Sequence, residues 1–89
     1  MPAECPENNV CFYTEEKFNG TMESYGGSEE IVNLQHADIS VHNFTGGEVL
    51  MYTGRDGQDK EIRIQADHSY SKIPGGEPVR SFKGGVFLK

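Results

Sequence analysis

The chain is 89 residues long and carries 14 Asp and Glu against 8 Lys and Arg, a formal charge of −6 at neutral pH. No basic cluster offers the phosphate neutralisation on which nucleic-acid binding rests, and the same lack disfavours an acidic membrane surface, so neither partner is expected. No apolar run approaches the roughly 20 residues of a membrane-spanning helix, and 11 glycines with 35% hydrophobic residues suit short strands better than helices. The expectation is one all-β domain, at a size where burial leaves a modest margin of stability.

Residues 1–9 are polar, contain Pro2 and Pro6, and read as an N-terminal arm. No charged-then-apolar leader precedes Cys5, so an exported form would have lost its leader ahead of Met1. Cys5 and Cys11 are the only cysteines, with Pro6-Glu7-Asn8-Asn9-Val10 between them. That gap is too wide for a CxxC redox pair, and without neighbouring histidines the two make a poor zinc site. A local disulfide is expected, pinning the arm to the first strand and implying an oxidising, extracellular setting. Two unpaired thiols in a reducing compartment are the alternative.

Residues 10–14 form the first strand, with Phe12 and Tyr13 on opposite faces. A turn follows over residues 15–20, where Asn19-Gly20 tolerates positive φ, and residues 21–25 return as a strand. Residues 26–30 are expected to be a loop, with Ser28 capping a single helical turn that runs into Ile31, Val32 and Leu34. Strands are expected next at 39–44 and, as a buried central strand, at 48–52.

From there the chain repeats itself. Leu50-Met51-Tyr52-Thr53 stands where Cys11-Phe12-Tyr13-Thr14 stood, residues 54–58 supply the turn, and residues 61–64 alternate polar and apolar as a strand with one wet face. Tyr13 to Ser40 spans 27 positions; Tyr52 to Ser81 spans 29 and Tyr52 to Ser71 only 19, so Ser81 is the counterpart of Ser40. Residues 67–77 become a long irregular connection, and Gly84-Gly85 with Val86-Phe87-Leu88 finish the sheet. Two Greek keys, residues 10–45 and 46–89, would pack face to face as a sandwich.

The aromatic pair Phe12-Tyr13, the turn Phe18-Asn19-Gly20 and the later Ser40 resemble the Greek-key signature of the βγ-crystallin superfamily. Within it, Cys5-Pro6 to Val10-Cys11-Phe12-Tyr13, and Ser40-Val41-His42-Asn43 before Thr45-Gly46, are most similar to the small secreted bacterial metalloproteinase inhibitors. The resemblance implies a βγ-crystallin-like sandwich of two Greek-key motifs, a secreted protein acting through surface loops on a partner such as a protease; a monomer is expected. Residues 53–60 and 73–78 are the candidate loops, and the second disulfide that braces the family's reactive loop has no cysteines here. Alternatives on the same fold are a calcium-binding structural, stress or coat domain, and a small secreted toxin or antimicrobial protein.

Calcium binding in the superfamily rests on paired Asn/Asp residues followed by Ser/Thr and Ser. The corresponding windows are residues 35–40, where Ile39 replaces a hydroxyl ligand and Gln35-His36 the acidic pair, and 76–81, where Arg80 puts a cation beside the ion. A shifted window, 67–72, keeps Asp67 and Ser71 but loses the second acid. The oxygen donors left for degenerate calcium sites are Glu15, Glu16, Gln35, Asp56 and Glu77, and no cofactor is expected.

His36, His42 and His68 share no metal-ligand spacing and read as surface or partly buried residues. Asp67, His68 and Ser71 could be written as a catalytic triad, but neighbours in sequence rarely converge and no nucleophile elbow is present, so an enzyme is not expected. Glu15-Glu16 and Glu29-Glu30 read as solvated charges, and Tyr13, Phe18, Tyr25, Phe44 and Tyr52 as core and corner aromatics. Asn19-Gly20-Thr21 and Asn43-Phe44-Thr45 match the glycosylation pattern. Residues 61–65 could form an exposed edge strand.

Overall fold

In a computed structural model, residues 5–86 are described, and their regular structure is antiparallel strands joined by turns and loops. These are β1 (Asn9–Glu15), β2 (Asn19–Gly26), β3 (Ser28–Asp38), β4 (Ser40–Phe44), β5 (Val49–Tyr52), β6 (Glu61–Ile64), β7 (Ser69–Tyr70) and β8 (Val79–Gly84). Single 3-10 turns at Glu16–Phe18 and Arg55–Gly57 close the two long hairpins. One sheet has the order β2-β1-β4-β7 and the other β3-β8-β5-β6. Each therefore takes three strands from one half of the chain and one from the other.

Two expectations need correction. The helical turn expected after Ser28 is instead an eleven-residue strand, β3. Its residues pair with β8, Val32 opposite Phe82 and Asn33 opposite Ser81, and that ladder satisfies backbone groups a lone helical turn would leave open. Ser28 still accepts the Glu30 N–H on its hydroxyl at 3.1 Å, a local bond that does not start a helix. Residues 67–77 are not wholly irregular either, because β7 pairs with β4 through Tyr70 and Val41. The closing strand ends at Gly84, and Phe87 and Leu88 lie outside the described residues.

The internal repeat is written in hydrogen bonds. Tyr13 lies opposite Ser40 across β1 and β4, and Tyr52 lies opposite Ser81 across β5 and β8. The Ser40 hydroxyl accepts the Phe18 N–H at 3.2 Å and donates to the Glu15 carbonyl at 2.6 Å. Ser81 accepts the Gly57 N–H at 3.0 Å and donates to the Gly54 carbonyl at 2.6 Å. Each serine thus pins the turn of its own hairpin, and Lys17 (φ 59°) and Asp56 (φ 58°) hold the same left-handed position in the two turns. Thr14 and Thr53 close the hairpins identically, accepting the N–H groups of Thr21 and Lys60 at 2.9 and 3.1 Å.

Alternation along β1 sends Phe12 into the main core, with Leu34, Met51, Ile64, Ile73, Val79 and Phe82 among its members. Tyr13 faces the other way, into a small cluster with Cys5 and Cys11. Those cysteines form the expected disulfide, with Cα atoms 6.0 Å apart. β5 is central and largely buried, and β6 is an edge strand. His42, read as a surface or partly buried residue, is 1% exposed, its ring lying against Phe44. Asn43 is also buried, its amide donating to the carbonyls of Gly47, Ile64 and Gln65, so only Asn19 of the two glycosylation patterns is exposed.

Candidate functional site

The two candidate loops, far apart in sequence, lie side by side. Residues 53–60 form a stiff hairpin tip: the Thr53 N–H donates to the Lys60 carbonyl at 3.0 Å, Gly54 to Gln58 at 3.1 Å, and Gln58 to Arg55 at 3.1 Å. Ser81 fastens this tip from below through Gly54 and Gly57. Residues 73–78 leave the core at Ile73 and re-enter it at Val79, both fully buried. The Ile73 N–H is anchored on the Ile39 carbonyl at 2.7 Å, and Gly76 donates back to Ile73 at 3.0 Å to close a turn.

Between these anchors Pro74, Gly75, Gly76 and Glu77 are exposed. Gly75 and Gly76 have φ of 92° and 77°, and a side chain there would meet open space, so their left-handed backbone is what demands glycine. A shallow groove separates the loops, lined by Thr53, Asp59, Lys60, Glu77, Pro78 and Arg80. Lys60 Nζ crosses it to Glu77 Oε1 at 3.4 Å. Both partners are exposed, so this pair adds little stability. Next to the groove, the Tyr52 hydroxyl donates to Glu61 at 3.1 Å; burial, and then that carboxylate, raise the phenol above its usual pKa. The surface can offer alternating charge and a braced backbone to a partner.

The proposed calcium ligands fall in separate places. Glu15 and Glu16 open the first hairpin turn, where Glu16 lies 3.9 Å from Lys72 Nζ and the Lys17 N–H donates to the Ser71 carbonyl. Asp56, at the second tip, takes both ends of the Asn33 amide, its N–H donating to Oδ1 at 2.8 Å and its carboxylate accepting Nδ2 at 2.9 Å. Glu77 is across the groove with Lys60, and Gln35 lies on β3 with its N–H on Glu23. Among the described residues no three of the carboxylates Glu15, Glu16, Asp56 and Glu77 converge. The residues that do converge are Glu23, His36 and Asp38, whose partnership no sequence spacing displays.

Comparison with known proteins agrees with this architecture. No curated protein sequence matches the chain significantly. Among solved structures, a chain reported in connection with the evolution of the eye-lens βγ-crystallin domain fold superposes with a TM-score of 0.75 at 13% identity, covering 99% of this chain and 96% of that one. A βγ-crystallin domain of the Abundant Perithecial Protein of Neurospora crassa, in its calcium-bound form, gives 0.72 at 17% identity over 94% and 93%. An IgE-binding crystallin, IPSE alpha-1, gives 0.72 at 12% over 92% and 86%. At these identities the likeness shows the fold, which is that of a βγ-crystallin domain. A family model for peptidase inhibitor family I36 matches residues 1–63, well over half of the chain, and the protein belongs to that family.

Proposed function

We propose that the protein is a secreted, non-enzymatic inhibitor of a peptidase, a single domain over residues 10–89 with an arm at 1–9, presenting residues 73–78 buttressed by the hairpin at 53–60. The observation that carries this reading is the anchoring of an exposed Pro-Gly-Gly-Glu segment between two fully buried residues, Ile73 and Val79. A loop ordered before binding leaves little conformational entropy to lose when it enters a cleft, so more of the contact appears as affinity. The family supports a peptidase as the partner, and the Cys5–Cys11 disulfide supports an oxidising compartment.

The test is titration of the purified protein against metallo-, serine, cysteine and aspartic peptidases. One class is inhibited at a one-to-one ratio, and Pro74→Gly or Pro78→Gly weakens inhibition by about tenfold while the melting temperature stays within a few degrees. Inhibition of none of the four classes, or loop variants as effective as the parent, overturns the proposal.

A second reading, calcium at the hairpin tips, is supported by the calcium-bound form of the similar Neurospora crassa domain. Here an ion would have to displace Lys72 from Glu16, or Asn33 from Asp56, while wanting six to eight oxygens. This reading therefore predicts weak binding. A melt in EDTA and then in millimolar calcium tests it, a raised midpoint supporting the ion and an unchanged one removing it.

A further inference from the structure

β2 and β3 are edge strands of opposite sheets, and Glu23 is turned inward where they meet. β3 leaves the register of β8 here: Asn33 pairs with Ser81 and Asp38 with Val79, so 38 − 33 = 5 steps on one strand face 81 − 79 = 2 on the other. Two N–H groups within that bulge are taken by Glu23, Gln35 donating to Oε1 at 2.8 Å and His36 to Oε2 at 2.9 Å. The Tyr25 hydroxyl adds a second donor to Oε1, and His36 Nδ1 lies 3.1 Å from Oε2. Asp38 completes the group. It is 0% exposed, and neither carboxylate oxygen receives a hydrogen bond from any N–H or O–H among the described residues.

We propose that Glu23, His36 and Asp38 form a binding site for a divalent transition metal ion of the zinc class. One ligand atom from each lies within 4.8 Å of the other two. The 3.1 Å between Glu23 Oε2 and His36 Nδ1 is close to the ~3.3 Å that zinc bonds of about 2.0–2.1 Å set at a tetrahedral angle. An imidazole nitrogen in the set selects zinc-class ions over calcium or magnesium, which take oxygen. The His36 side chain is 46% exposed, leaving an entry path and room for water as a fourth ligand. Asp38 supplies the need for the ion: a buried carboxylate facing another without a donor requires a cation or a proton.

The test begins with metal-stripped protein at pH 7.5, titrated with cobalt chloride and followed by visible absorption, with zinc as the displacing ion. One equivalent of cobalt gives the intense bands of tetrahedral coordination, zinc removes them, and zinc raises the melting temperature where calcium and magnesium at this site do not. His36→Ala, at a half-exposed side chain, folds normally, loses the bands and binds zinc at least tenfold more weakly; His68→Ala, exposed elsewhere, matches the parent. Absence of one-equivalent binding overturns the proposal, as does His36→Ala binding like the parent. A higher melting temperature for Asp38→Asn, with no metal uptake by the parent, assigns the pair to a shared proton and overturns it as well.

Discussion

Replacing Ser40 by alanine removes two hydrogen bonds at the neck of the first hairpin and leaves the Phe18 N–H and the Glu15 carbonyl, on a half-buried and an exposed residue, without that partner. The net worth of such bonds is ~1 kcal/mol each, so Ser40→Ala is expected to cost about 1–2 kcal/mol in urea denaturation. Ser81→Ala should cost somewhat more, about 2–3 kcal/mol, because Ser81 makes the same two bonds in the second half and its loss also strands the buried Gly54 carbonyl. A loss of under ~0.5 kcal/mol at either serine would show that water replaces the hydroxyl without penalty. His42 gives a prediction in pH. Both its ring nitrogens are buried without a hydrogen-bond partner among the described residues, and burial holds its pKa below the ordinary imidazole value. The unfolded chain then binds the proton more readily than the folded one, so this residue's contribution is intact above the ordinary value and is lost as pH falls through about 6.5. Between pH 7.5 and 5.5 the parent should lose ~1 kcal/mol more stability than His42→Phe, whose ring fills similar space without titrating. Parallel pH curves for the two proteins would remove His42 from the acid sensitivity.

At the level of elements, Gly84 ends β8 at φ 107°, and a Cβ there would run into the Glu48 carbonyl. Gly84→Ala should therefore cost roughly 2–3 kcal/mol, since the clash is with backbone and the conformation is strained for any side chain. Cys5→Ser, which opens the link between arm and β1, should cost about 2 kcal/mol, and an unchanged melting temperature would mean that the arm is held without it. Which elements could be foreseen depends on how local their causes are. β1 is legible through its aromatic and β-branched residues, β2 through the turn that precedes it, β5 through its apolar run and β6 through alternation, and the Tyr13–Ser40 and Tyr52–Ser81 spacings place both pinning serines from the sequence alone. β3 is hidden because its partner β8 lies about fifty positions downstream, and Ser28 ahead of Ile31 and Val32 fits a capped turn equally well until that partner is present. The candidate loops are visible as clusters of glycine, proline and charge; the Lys60–Glu77 contact between them is a product of topology. Glu23, His36 and Asp38 are the least legible group, because their meeting requires the edges of two sheets to close on each other.

For the molecule as a whole, the exchange of β3 and β7 between sheets decides how it unfolds. Neither half can complete a sheet alone: without β8, β3 has no ladder, and without β4, β7 has none. The core is shared in the same way, with Phe12 of the first half 5.2 Å from Phe82 of the second, and Leu34 in one cluster with Met51, Ile64 and Val79. A sheet whose pairings join distant parts of the chain gains no stability until both halves have docked, which places folding in the millisecond-to-second range and makes partly folded states costly. The expected outcome is one cooperative transition, with tyrosine fluorescence and far-UV circular dichroism giving the same midpoint and the calorimetric and van't Hoff enthalpies agreeing. A peptide covering residues 1–45, with its disulfide formed, should by the same reasoning remain unfolded, because Phe12, Leu34 and Val41 would have half their packing partners missing. Two separated transitions, or a dispersed amide spectrum from that peptide, would show that one Greek key is stable by itself and that the exchanged strands only fasten two independent units together.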